Sequence, residues 1–137
     1  MRLCQTYCFH YSDQGYQTMK NILVVDDTLM FRTIMKRYLS QLGFNVLELE
    51  SGKNIIKLIS HAAVEAIILD IMMDEQEGIE TITQLNKLPM HPTIIAVSSE
   101  SDYLDVATVL GAEAALTKPV SLEDLASVLY KLGITAE

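Results

Sequence analysis

Positive charge, long apolar runs and cysteine are all scarce in this sequence of 137 residues. It carries 10 lysines and arginines against 18 aspartates and glutamates, a formal charge of −8. This balance disfavours nucleic-acid binding, which rewards basic surfaces. No apolar run approaches the roughly 20 residues of a membrane-spanning helix, and the N-terminal stretch lacks the apolar core of a signal peptide. We therefore expect one cytoplasmic domain that contacts neither nucleic acid nor membrane.

The two cysteines lie together near the N-terminus. Cys4 and Cys8, even with His10, do not make the paired spacing of a structural zinc site, so we interpret them as reduced thiols on a tail. Met19 and Lys20 then open the first regular pattern. We expect residues 1–18 to be a flexible N-terminal extension and residues 19–137 to form the domain.

Short apolar runs alternate with helical periodicity along the rest of the chain. Five runs are typical of buried strands: NILVV, NVLEL, EAIIL, TIIAV and AALT. Between and after them, apolar residues recur every three or four positions, as on one face of a helix. The predicted inner faces are Phe31, Ile34, Met35, Tyr38, Leu39 and Leu42 in the first helix, Ile55, Ile56 and Ile59 in the second, and Leu122, Leu125, Val128, Leu129 and Leu132 in the last. The third and fourth helices are predicted over about 79–88 and 102–110.

Capping signals support these helices. Gly43 and Gly111 follow the first and fourth helices, where C-terminal glycines occur. Ser51 is predicted to cap the second helix, and Ser121 with Asp124 resembles a capping box. Five βα units predict a parallel sheet covered on both faces and are too few for an eight-stranded barrel. The predicted fold is a flavodoxin-like, doubly wound α/β sandwich with strand order 2-1-3-4-5.

Polar side chains stand where four of the predicted strands end. Asp26 and Asp27 follow the first strand, and the third, fourth and fifth strands lead to Asp70, Ser98 and Lys118. These strands are neighbours in the predicted order, so their carboxyl ends converge on one crevice. Two carboxylates about 4 Å apart repel by roughly 4 kcal/mol at an effective dielectric near 20. Mg²⁺, which prefers carboxylates and water, would relieve this repulsion together with Lys118.

Asp70 is the candidate nucleophile of this cluster, because a carboxylate can form an aspartyl phosphate. Mg²⁺ and Lys118 would neutralise charge on the transferring phosphoryl group, and Ser98 would donate a hydrogen bond to it. None of the three histidines lies at these strand ends. A phosphohistidine donor would therefore belong to another protein.

Four motifs, in order, resemble those of the response-regulator receiver domains of two-component signalling. They are VVDD, IILD followed eight residues later by Gly78, VSS and TKP. The resemblance covers about Lys20 to Gly133 and leaves no segment for DNA binding within this chain. It implies a phosphoacceptor domain with at most self-catalysed phosphorylation and dephosphorylation, rather than an enzyme.

The resemblance also implies roles for individual residues. Asp70 matches the phosphoacceptor. The Mg²⁺ ligands would be Asp26, Asp27, Asp70 and the main-chain carbonyl of Met72. Ser98 and Lys118 match the residues that contact the phosphoryl group, and the bond before Pro119 would be cis, as X-Pro bonds permit. The donor would be a sensor histidine kinase or a histidine phosphotransfer protein.

Two positions depart from the family pattern. Asp74 follows Met73 where the family often has proline, and Ala115 stands where it often has an aromatic residue that swings inward on phosphorylation. The aromatic switch cannot operate as such, and Tyr103 is one candidate to replace it. We interpret the side chains of Met72 and Met73 as packing residues.

Two helices are predicted to carry partner surfaces. The fourth helix, YLDVATVL, has an apolar stripe too wide for one buried face, which favours a downstream partner on the surface of the fourth helix, fifth strand and fifth helix. The first helix has a basic side formed by Arg32, Lys36 and Arg37. Kinases and phosphotransfer proteins of this system commonly dock beside this helix.

Two other functions remain open. A degenerate receiver would act only as a protein-interaction module. A phosphatase with an aspartate nucleophile is disfavoured, because the haloacid-dehalogenase pattern requires a second aspartate two residues after the first, where Thr28 and Leu29 stand.

Overall fold

A five-stranded parallel sheet forms the centre of the protein. The structure, a computed structural model, describes residues 19–73 and 77–137. The strands are β1 (Asn21–Val25), β2 (Asn45–Leu49), β3 (Val64–Asp70), β4 (Thr93–Ser98) and β5 (Ala114–Thr117). The helices are α1 (Leu29–Gln41), α2 (Ile55–His61), α3 (Glu77–Asn86), α4 (Ser101–Leu110) and α5 (Leu122–Lys131). The strand order β2-β1-β3-β4-β5 confirms the predicted flavodoxin-like topology. In the described ranges, no helix combines the length and apolarity needed to cross a bilayer.

Two apolar layers explain why β1, β3 and β4 are almost continuously hydrophobic. These strands are covered on both faces, so successive side chains enter opposite layers. One layer lies against α2, α3 and α4 and includes Leu23, Ile67 and Ile94. The other lies against α1 and α5 and includes Val24 and Ile68 among its strand residues. The register pairs Val25 with Leu69, Asp70 with Val97 and Ser98 with Thr117, so these strands end at one common edge.

Close packing at two glycines fixes the positions of helices. The α4 helix ends at Gly111, whose φ of +128° suits glycine. A Cβ there would collide with the side chain of Asn86. The Asn86 amide instead donates to the carbonyls of Leu110 at 2.7 Å and Ile82 at 3.1 Å, which ties α3 to α4. The second glycine, Gly78, lies beside the site described below.

The predicted helix ends are partly right. Gly43 has a φ of +97° after α1, and Ser121 Oγ accepts a hydrogen bond from the Asp124 N–H at 3.0 Å, as expected. The Ser51 prediction is wrong, because α2 begins at Ile55 with Asn54 at its N-cap. Ser51 Oγ instead accepts from the Lys53 N–H at 3.3 Å, within a turn that precedes the helix.

Two predicted core positions lie at the surface. Ile34 in α1 is 38% exposed and Ile56 in α2 is 36% exposed. Each helix contacts the sheet through a stripe narrower than its apolar pattern, centred on Met35 and Leu39 in α1 and on Ile55 in α2. The third helix also begins earlier than predicted, at Glu77, and ends at Asn86.

Candidate functional site

Three carboxylates meet at the carboxyl edge of the sheet. One oxygen from each of Asp26, Asp27 and Asp70 lies within 4.8 Å of the others. Asp26 is fully buried and Asp70 is 4% exposed, whereas Asp27 faces solvent. The adjacency of β1 and β3 brings them together, because each strand leads directly into its aspartate. The result is a concentrated negative charge with one side open to water.

The Asp26 side chain and main chain are held from four directions. Its Oδ1 accepts the Thr28 N–H at 2.7 Å, and its Oδ2 lies 2.8 Å from Lys118 Nζ. The main-chain N–H donates to the Leu49 carbonyl at 3.1 Å, and the main-chain carbonyl accepts from Arg32 Nη1 at 2.8 Å. These contacts join β1 to β2, α1 and the end of β5.

Lys118 is the cation of the site. Its Nζ lies 2.8 Å from Asp26 Oδ2 and 3.5 Å from Asp70 Oδ2, so it is closer to Asp26 than to Asp70. The ammonium also lies 4.4 Å from the ring centroid of Phe31, a cation–π contact. Its main-chain N–H donates to the Ser98 carbonyl at 2.9 Å. The peptide bond from Lys118 to Pro119 is cis.

Asp70 lies in an environment that disfavours its charged form. Its Oδ1 accepts the Met72 N–H at 2.9 Å. Burial raises the pKa of the Asp70 carboxyl above its ordinary value, and the Asp26 carboxylate adds to this rise, while the Met72 N–H and the Lys118 ammonium oppose it. Neutralising this carboxylate, by a proton or by a cation, therefore stabilises the site.

The spacing from Asp70 to Gly78 has a steric cause. A Cβ at Gly78 would lie 2.7 Å from the Asp70 carbonyl oxygen and 2.9 Å from the Ile71 carbonyl carbon, which is too close. The glycine thus lets the start of α3 press against the main chain that carries Asp70. Residues 74–76 of the intervening loop, including Asp74, lie outside the described residues, as do Cys4, Cys8 and His10.

Ser98 and Met72 flank the carboxylates. Ser98 is fully buried, and its Oγ accepts the Glu100 N–H at 2.9 Å. A hydroxyl group can also donate its own proton. Met73 is 1% exposed, as expected of a packing residue, whereas Met72 is 44% exposed and contributes less to packing than predicted. Met72 lies in a loop whose main chain follows Asp70, and this geometry turns its side chain outward.

Two contacts made by α1 have no signal in the local sequence pattern. Arg32 is predicted to belong to the basic side of α1, but its side chain is 11% exposed and its Nε lies 3.1 Å from Glu48 Oε1. Phe31 was assigned only to the core, yet its ring lies under Lys118. Both partners are distant in sequence, 16 residues away for Glu48, so the local pattern carries no signal for either contact.

The donor set fits Mg²⁺. Three carboxylates supply only oxygen ligands, and the exposure of Asp27 leaves room for the water molecules that Mg²⁺ retains. The donor set does not fit zinc, because no histidine or cysteine of the described residues joins the cluster. Asp26, Asp27 and Asp70 would hold the ion.

Comparison with known proteins agrees with this geometry. The family described as "Response regulator receiver domain" matches residues 22–130. The chain is 32% identical over 110 residues to the autoinducer 1 sensor kinase/phosphatase LuxN of Vibrio campbellii, covering 79% of this chain and 13% of that protein. It is also 32% identical over 108 residues to the transcriptional regulatory protein CpxR of Klebsiella pneumoniae, covering 78% of this chain and 46% of that protein.

Solved structures share the fold as well. A response regulator receiver domain protein (CheY-like) from Methanospirillum hungatei is 26% identical, with a TM-score of 0.75 over 84% of this chain and 94% of that one. The chain spans less than half the length of the two curated relatives above, so the activities of those whole proteins are not assigned to it. The family match covers most of this chain, and the carboxylates and Lys118 lie together at the sheet edge. This chain therefore belongs to the response regulator receiver domain family.

Proposed function

We propose that this domain accepts a phosphoryl group on Asp70 in the presence of Mg²⁺ and thereby changes its binding to a partner protein. The observation that supports this most directly is the meeting of Asp26, Asp27 and Asp70 with Lys118 at one sheet edge. The proposed Mg²⁺ ligands are these three carboxylates and the main-chain carbonyl of Met72. The donor would be a sensor histidine kinase or a histidine phosphotransfer protein.

We infer separate tasks for the two oxygens of Asp70. Oδ1 accepts the Met72 N–H, which holds the side chain in place. Oδ2 lies 3.5 Å from Lys118 Nζ and is the oxygen we expect to attack phosphorus. A new O–P bond forms as the P–N bond to the donor imidazole breaks, and the imidazole leaves with its electron pair and takes up a proton. Bound Mg²⁺ would neutralise charge on the phosphoryl oxygens.

Phosphorylation would then redistribute the contacts of Lys118 and Ser98. Lys118 pairs chiefly with Asp26 in the unphosphorylated site, at 2.8 Å. A phosphoryl group on Asp70 adds negative charge next to the ammonium and three acceptor oxygens. We expect Lys118 and the Ser98 hydroxyl to turn toward it. Ala115, half-buried in β5, provides no aromatic ring to follow this movement.

Intact-protein mass spectrometry after incubation with acetyl phosphate tests the proposed function. We expect the mass of one phosphoryl group to be added to the wild type with Mg²⁺, none with a chelator, and none to Asp70→Asn. A folded wild type that gains no mass and does not bind beryllofluoride would instead be a degenerate interaction module. Steady release of inorganic phosphate from phosphate esters that is lost in Asp70→Asn would indicate a phosphatase with an aspartate nucleophile.

We propose the exposed side of α4 as the surface for the downstream partner, together with β5 and α5. Val109 is 86% exposed, Val106 is 46% exposed and Tyr103 is 41% exposed. Solvent-facing apolar side chains spaced three apart on one helix form a stripe that a partner can cover.

Val109→Asp tests this surface. A charge at the centre of an apolar contact is expected to weaken partner binding at least about tenfold, while acetyl phosphate labelling and the unfolding temperature stay unchanged. The partner would be recovered with beryllofluoride-treated protein and its Kd measured by calorimetry. Met90→Asp is the matched control, since Met90 is also 86% exposed but precedes β4. Equal loss in both variants would contradict the assignment.

A further inference from the structure

Arg32 connects three separate elements close to the acidic cluster. It lies in the first turn of α1, where its N–H donates to the Thr28 carbonyl at 3.2 Å. Its Nη1 donates to the main-chain carbonyl of Asp26 at 2.8 Å, and its Nε to Glu48 in β2 at 3.1 Å. The side chain is 11% exposed, which is unusual for arginine. Two directed hydrogen bonds hold the planar guanidinium in a single orientation.

The carbonyl that Arg32 binds belongs to the peptide unit between Asp26 and Asp27. A peptide unit is planar, so a bond to its oxygen also sets the direction of the following N–H and Cα. Asp27 has few other constraints. Within the described residues, its side chain receives one hydrogen bond, from Thr28 Oγ1 at 3.4 Å, and it is exposed. The placement of the Asp27 carboxylate therefore depends on the peptide that Arg32 holds.

We propose that Arg32 is a positioning residue for Mg²⁺, which orients the Asp26–Asp27 peptide so that the Asp27 carboxylate faces Asp70. The inference deepens the proposed function and rests on it for the identity of the ion. Arg32 does not contact the phosphoryl group. Its effect passes through the main chain, in the way that groups behind metal ligands set ligand direction.

Glu48 is the ion-pair partner of Arg32 and compensates its charge. Its Oε1 pairs with Arg32, and its Oε2 lies 3.9 Å from Lys36 Nζ on the next turn of α1. The Glu48 carboxylate offsets much of the charge of Arg32, so Arg32 adds little net positive charge that would repel a divalent cation. The hydrogen bond to the Asp26 carbonyl, rather than the charge of Arg32, would therefore set the position of Asp27.

Calorimetric titration of Mg²⁺ into the wild type and Arg32→Met tests the proposal. Methionine keeps the aliphatic stem and removes both donors. We expect the Kd for Mg²⁺ to rise about tenfold or more, as for other losses behind metal ligands. With acetyl phosphate, the Mg²⁺ concentration for half-maximal labelling should rise by the same factor, whereas the rate at saturating Mg²⁺ should stay near that of the wild type. A general loss of structure would also lower the rate at saturating Mg²⁺.

Two further variants separate the hydrogen bond from other effects. Glu48→Gln removes the ion pair but leaves the bond to Asp26, so its Kd should stay within about twofold of the wild type. Lys87→Met removes an exposed positive charge just after α3 and should leave the Kd unchanged. If Arg32→Met does not fold, Arg32→Lys, which can make one bond but not both, should give an intermediate rise in Kd.

The outcomes are distinct. An unchanged Kd in a folded Arg32→Met or Arg32→Lys would overturn the proposal, and so would an equal rise in Glu48→Gln. If the wild type binds Mg²⁺ and Arg32→Met binds it more weakly, but acetyl phosphate labels neither protein, the proposed function fails and the role of Arg32 stands. If Asp70 of the wild type is labelled and Arg32→Met is labelled equally at every Mg²⁺ concentration, the proposed function stands and the role of Arg32 fails.

Discussion

Asp70→Asn is expected to raise the unfolding temperature of the Mg²⁺-free protein at neutral pH by about 3–6 °C. Asp70 is 4% exposed and lies beside the fully buried Asp26. Among the described residues, Lys118 pairs with both carboxylates, at 2.8 Å from Asp26 and 3.5 Å from Asp70. Asparagine removes the charge and keeps an oxygen for the Met72 N–H. Loss of the proposed phosphoacceptor and gain of stability are therefore expected from the same substitution.

The gain in stability should depend on pH in a defined direction. Burial raises the pKa of Asp70 in the folded state above its unfolded value. Between these two values the folded protein binds more protons than the unfolded chain, so ionisation of Asp70 makes the free energy of unfolding fall as the pH rises. The cost is fully present above the folded pKa and absent below the unfolded one. The difference between Asp70→Asn and the wild type should therefore shrink on acidification.

Scanning calorimetry of both proteins from neutral to acidic pH measures this difference. Asp27→Asn is the matched control, because Asp27 is exposed and its charge is largely screened by water. Adding Mg²⁺ should stabilise the wild type more than Asp70→Asn, since we propose that the ion binds the folded state through that carboxylate. An Asp70→Asn protein less stable than the wild type at neutral pH would show that Lys118 already compensates Asp70 fully.

Lys118→Met is expected to slow acetyl phosphate labelling of Asp70 about a hundredfold at saturating Mg²⁺, the usual effect of losing one preorganised electrostatic group. The ammonium lies 3.5 Å from Asp70 Oδ2, where the phosphoryl group would arrive. The same substitution should tighten Mg²⁺ binding, because Lys118 and the proposed ion would neutralise the same carboxylates and therefore compete. A slower reaction combined with a lower Kd for Mg²⁺ is not the pattern of a damaged fold.

Lys118→Arg is the informative control. It keeps the charge, so Mg²⁺ affinity should remain near that of the wild type, but the larger guanidinium cannot occupy the place of the ammonium over Phe31 without shifting. Labelling rates are followed by mass spectrometry and Kd values by calorimetry. Weaker Mg²⁺ binding in Lys118→Met would contradict the competition, and an unchanged labelling rate would remove Lys118 from the reaction.

The strands of the sheet are predictable from the sequence because each strand has several local signals. The buried runs of β1, β3 and β4 are rich in β-branched residues and end in polar side chains. The alternation with helices predicts that the strands are parallel. With the predicted strand order, this places Asp26, Asp70 and Lys118 at the same edge of the sheet. The structure shows that they meet there, with Lys118 bonded to a residue 92 positions earlier.

What the sequence could not supply depends on neighbours that are distant along the chain. Arg32 looks like any surface arginine of an amphipathic helix until β2 places Glu48 beside it. Ile34 and Ile56 fit the helical pattern, but the width of the buried stripe depends on how each helix lies on the sheet. Ser51 is a good capping residue, yet the turn before α2 places Asn54 at the cap.

The long interval between Asp26 and Lys118 also bears on how the site is assembled during protein synthesis. The acidic half is encoded early and lies on the central strands β1 and β3, whereas the lysine follows β5, a four-residue strand at the sheet edge. Contacts separated by 92 residues close late, because the chain between them must first be ordered. A ribosome-bound chain would thus carry a charged, uncompensated cluster until β5 emerges and docks. Competence to receive a phosphoryl group would arise only with nearly the whole domain in place.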